Sequence, residues 1–122
     1  MPTGHLVTKF RDALDECDIR LVRRRYVRRL DDSGRRLDCM AFYTGDAQPR
    51  PLIEVALFHE KIRGVDDVVI AILHEISHHH AIPEWVVQDA LEVVAFRSRS
   101  LREAVKTRLL HDHYFRRRRR AV

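Results

Sequence analysis

Residues 74–78 read His74-Glu75-Ile76-Ser77-His78, two imidazoles four positions apart with a carboxylate next to the first. On a helix, residues four apart stack one turn above each other, so both rings can reach one metal ion. Glu75 follows about 100° further round the helix, beside such an ion rather than necessarily on it. From there a carboxylate can take a proton from an activated water and later hand it to a leaving amine. With 8 histidines in 122 residues, random placement would produce this pattern only about 0.03 times per chain. The six residues before it, 68–73, are all apolar. Val69, Leu73 and Ile76 project about 200–260° away from His74. The expected helix therefore has an apolar back and a His/Glu front, which a merely solvated His-rich face would not need.

A catalytic zinc takes three protein ligands and keeps one position open for water. Three residues offer the third. Glu92 lies at the centre of a polar stripe, with Gln88 and Asp89, on an otherwise apolar helix expected over residues 84–97. A tight turn at Ile82-Pro83 would pack that helix against the first. Glu84 follows His78 by six residues, and Cys39 lies upstream.

Positioning these groups requires a small scaffold. Thr3 can cap a helix over residues 4–17, with Leu6, Val7, Phe10, Ala13 and Leu14 on one face. Residues 20–30 interleave apolar residues with arginines, as in a strand with one solvated face. Asp31-Asp32-Ser33-Gly34 is a turn signal, residues 36–44 read as the returning strand, and residues 52–61 read as a third. Asp66 and Asp67 suit the N-terminus of the motif helix. Ser100-Leu101-Arg102-Glu103 matches a capping box, opening a last helix that should fade before the arginine run. The expected order is α-β-β-β-α-α-α. The fold class is α+β, a small antiparallel three-stranded sheet with helices on one face.

The motif and its flanks resemble the zincin metallopeptidases over residues 52–97. The chain is most similar to compact gluzincins, the minigluzincins and ImmA/IrrE-type peptidases, in which E-x-x-A follows the motif; here that is Glu92-Val93-Val94-Ala95. The resemblance implies a zinc-dependent peptidase with one Zn2+ per chain, held by His74, His78 and Glu92, with Glu75 as general base. It also implies that strand 52–61 borders the cleft and binds an extended peptide by strand addition. Two departures are visible. Phe96 stands where gluzincins often carry a supporting acid, and fourteen residues between His78 and Glu92 is a short separation for the group.

Other polar residues have weaker claims. His59 and Tyr43 are candidate substrate-binding residues, and Tyr26 shares with Tyr43 the possibility of stabilising an oxyanion. His79 and His80 point about 140° and 240° away from His74, cannot share its metal, and should be partly exposed. His111-Asp112-His113 reads as a frayed helix end.

The formal net charge is +5, and Arg116, Arg117, Arg118, Arg119 and Arg120 account for all of it. The domain expected over residues 1–115 is therefore neutral, and residues 116–122 form a basic tail, expected to be disordered, that can contact nucleic acid or an acidic protein. A zincin-like or basic binding module without hydrolytic activity is the alternative to a peptidase. No apolar run approaches the ~20 residues of a membrane span. Cys17 and Cys39 make no disulfide framework, and the first residues carry no apolar signal core, so the expected setting is a reducing cytoplasm.

Overall fold

A computed structural model of the chain describes residues 2–79 and 98–121. The elements run α1 (Pro2–Glu16), β1 (Asp18–Val22), β2 (Val27–Leu30), β3 (Arg36–Cys39), β4 (Ala41–Thr44), β5 (Leu52–Ala56), α2 (Val65–His79) and α3 (Arg99–Ala121). The α+β class is as expected. The helix expected over residues 84–97, with Glu84 and Glu92, lies outside the described residues, as does His80.

The expected single antiparallel sheet is corrected. Each of the first two expected strands divides in two, at residues 23–26 and at Met40, giving two sheets. One has the order β1-β5-β4, with β5 parallel to β1 and antiparallel to β4; the other is the antiparallel pair β2–β3. The long hairpin thus stays closed at its tip and opens at its base to admit β5. The burial of β5 explains the insertion, because Ile53, Glu54, Val55 and Ala56 are all buried. A strand covered on both faces belongs in the middle of a sheet. The run Arg23-Arg24-Arg25 could not occupy such a place without desolvating its charges.

β5 also ends at Ala56 and pairs along both sides, so it is not a cleft-edge strand and has no edge to offer an added peptide. The edges of this sheet are β1 and β4.

Alternation sorts the sheet residues into two rows. Ile19, Ile53 and Tyr43 share one register position, and Leu21, Val55 and Ala41 the next. Both rows face the core. Between them Arg20, Glu54 and Phe42 project from the opposite face. Helix α2 packs on β4 and β5, and α1 and α3 pack against α2. The buried face of α1 is Phe10, Ala13 and Leu14, that of α2 includes Val69, Ile72, Leu73 and Ile76, and α3 contributes Leu101 and Val105.

The C-terminus of α1 contains no basic residue in its last turn, and distant arginines supply what it lacks. Arg108 donates to the carbonyls of Leu14 (2.7 Å) and Cys17 (2.8 Å). Arg50 donates to those of Asp15 and Glu16. Both satisfy carbonyls that a helix end leaves without partners and complement its negative pole. The final helix runs on to Ala121, through the arginines placed beyond its end by the sequence reading; arginine and alanine are both good helix formers. Among the described residues no helix is long and apolar enough to cross a membrane.

Candidate metal centre

The last two turns of α2 carry the His/Glu front that the sequence requires. Ile76, between the two histidines in sequence, is fully buried on the back of the helix. Anchored there, α2 presents His74 partly exposed and His78 exposed, with Glu75 buried at 8% exposure. The two imidazole centroids are 5.5 Å apart with planes at 74°. Nε2 of His74 lies 3.8 Å from Oε2 of Glu75. One donor atom from each of His74, Glu75 and His78 falls within 4.8 Å of the others. Two ligands on a tetrahedral zinc, each about 2.1 Å from the ion, sit about 3.4 Å apart. The two imidazoles are ligands that suit zinc, and Glu75 stands beside them within reach of a water on such an ion. The residues present fit the ion.

Cys39, at the end of β3, is not a member of this group. Burial, and next the negative charge of Glu75, push its thiol above the ordinary value of 9.0, so it stays protonated near neutral pH. Glu84 and Glu92, the other candidates for the third ligand, lie outside the described residues.

The structure gives His79 a role that its angular position did not suggest. Its side chain is only 16% exposed. Tyr43 approaches Nδ1 at 2.8 Å, and Glu16 approaches Nε2 at 2.7 Å. A carboxylate only accepts, so Nε2 carries the proton, and in the neutral ring Nδ1 then accepts from the Tyr43 hydroxyl. Burial raises the Tyr43 phenol above its ordinary value, which keeps that donor protonated. The phenol ring also meets the imidazole edge-on at 5.8 Å. Gly45 makes room for it: a Cβ there would lie 3.2 Å from the ring and the hydroxyl. One imidazole thus ties the last turn of α2 to β4 and to the end of α1, directly after His78. Tyr43 and Glu16 are 36 and 63 residues from His79, and no local sequence signal connects them.

His59 is placed elsewhere. It sits in the turn after β5, accepts from the Lys61 amide at 3.1 Å, and packs edge-on against Tyr26 at 5.6 Å. It does not join His74, Glu75 and His78. Asp112 is held by Arg108 at 3.0 Å, as part of the α1 cap. A groove of about 580 Å³ between α1 and α3, bordered by Arg11, Glu103 and His111 among others, contains none of the three α2 residues.

Comparison with protein families, with curated proteins and with solved structures finds no match.

Proposed function

We propose that the chain is a zinc-dependent peptidase. The observation that carries this reading is the grouping of His74, Glu75 and His78 on one face of a helix whose other side is core. His74 and His78 are the imidazole ligands, and Glu92 is the proposed third ligand. A zinc ion bound there would supply Lewis acidity, bringing the pKa of a coordinated water to near 7. Glu75 accepts the proton from the attacking water, and its buried position keeps the carboxylate from being fully solvated while it does so. Glu75 then returns that proton to the amine of the departing half of the peptide. A reducing cytoplasm is the proposed setting, in keeping with two free cysteines.

Glu75→Gln is the direct test, because it preserves shape and removes the base. The zinc-loaded variant should retain its metal and lose peptide hydrolysis by about 10²–10⁴-fold, measured against a mixed fluorogenic peptide library. A zinc-loaded wild-type chain that cleaves nothing in that library would favour the non-hydrolytic binding module. Undiminished hydrolysis by Glu75→Gln would refute the assigned base.

A further inference from the structure

Eight of the seventeen residues from Arg20 to Arg36 are arginine. The structure separates those engaged in ion pairs from those that are not. Arg20 and Arg29 are directed at Glu54, and Arg36 at Asp38. Asp31 is engaged within its own turn by Ser33 and by the Arg35 amide. Arg23, Arg24, Arg25, Arg28 and Arg35 are exposed, and among the described residues their guanidinium groups meet no carboxylate.

The same region carries exposed apolar surface. Tyr26 is 42% exposed, Leu30 71% and Phe58 60%. Phe58 is stitched to the arginine turn, its amide donating to the Arg24 carbonyl at 3.0 Å. Unneutralised guanidinium groups and uncovered rings therefore occur together in residues 23–35 and the turn at Phe58.

We propose that residues 23–30, with Arg35 and the adjoining turn at Phe58, bind single-stranded nucleic acid. Guanidinium forks match phosphate oxygens in charge and geometry. Tyr26 and Phe58 offer faces on which unpaired bases stack. An acidic polypeptide would neutralise the arginines but leave the rings without a role, and a duplex keeps its base faces covered. The surface is independent of the proposed zinc chemistry.

The test uses the full chain and two fluorescein-labelled probes, a 20-nucleotide oligo-dT and its oligo-U counterpart, followed by anisotropy between 50 and 300 mM KCl. These concentrations are chosen at roughly the range over which counterion release is resolved. Five phosphate contacts give a slope of log K against log salt of at least about −3.5, at roughly 0.7 per contact for single strands. Replacing Arg23, Arg24 and Arg25 together by serine should reduce that slope by about 2. The pair Arg28→Ser/Arg35→Ser, an independent variant should the triple fail to fold, should reduce it by about 1.4. Tyr26→Ala and Phe58→Ala should each weaken binding roughly fivefold or more with the slope unchanged. Preference between the two probes identifies DNA or RNA as the partner. The proposal is overturned if neither probe binds, or if the arginine variants leave affinity and slope unchanged. It is equally overturned if serines at 116–120 alone abolish binding, or if polyglutamate or a duplex competes equally while the aromatic variants are silent.

Discussion

Glu54 is a carboxylate in the central strand of a sheet, 7% exposed, and the account of the fold depends on what neutralises it. Arg29 reaches it from the β2–β3 hairpin, and Arg20, its neighbour in register on β1, stands 3.8 Å away. The Arg29 guanidinium also lies over the Phe42 ring at 5.3 Å. Arg29→Met keeps the apolar stem and deletes the charge. Breaking a buried pair by removing one partner costs about 3–5 kcal/mol. The Arg29 side chain is 32% exposed and Arg20 remains nearby, which lowers the expected cost to about 2–3 kcal/mol. For 122 residues, an unfolding entropy of about 2.1 cal/mol/K per residue converts this into a Tm drop of about 8–12 °C. Glu54→Leu should cost less, under about 1 kcal/mol, because the orphaned Arg29 can turn toward water. The double variant should lie close to Glu54→Leu, leaving a coupling of about 2 kcal/mol. Calorimetric scans of the four proteins measure this. Single-variant losses that simply add would refute the pairing, and with it the placement of the hairpin over the outer face of the sheet.

Further outcomes follow from the ties around α2. Tyr43→Phe deletes the bond to His79 and should lower stability by about 1 kcal/mol, near 4 °C in Tm; no change in a thermal melt would contradict the bond. Gly45→Ala should displace the Tyr43 ring, since the added Cβ meets it at 3.2 Å, and should lose less stability in the Tyr43→Phe background than in the wild type. Burial raises the thiol of Cys17 and the phenol of Tyr43 above 9.0 and 10.0. A raised folded-state pKa gives stability that is complete below the unfolded value and is lost as pH rises through the folded one. The urea midpoint should therefore hold up to about pH 9 and fall above it, with a smaller fall in Tyr43→Phe; an alkaline limb identical in that variant would exclude Tyr43.

What the sequence disclosed was what local pattern encodes. The face of α1 through Phe10, Ala13 and Leu14 follows helical periodicity, and the α2 front follows from the spacing of His74, Glu75 and His78. The division of the sheet was not disclosed, because strand pairing is a long-range property. The run Leu-Ile-Glu-Val-Ala reads equally as an edge strand with alternating exposure or as a covered central one. The arrival of Arg29 from a distant hairpin, with Arg20 beside it, allows Glu54 to be buried, which makes the second reading correct. His79 shows a related limit. As its angle on the helix implies, it is partly exposed and outside the metal group, but the partners that hold it, Tyr43 and Glu16, come from two other elements.

The central claim is that α2 carries a zinc site built on two imidazoles. Its most direct test is the zinc content of the purified full chain after equilibration with a buffered free-zinc series, compared with His74→Ala and His78→Ala. One zinc per chain in the wild type, with both variants losing it while keeping the wild-type circular dichroism spectrum, is the predicted result. A wild-type chain that takes up no zinc, or folded variants that bind it as tightly as the wild type, would contradict the assignment.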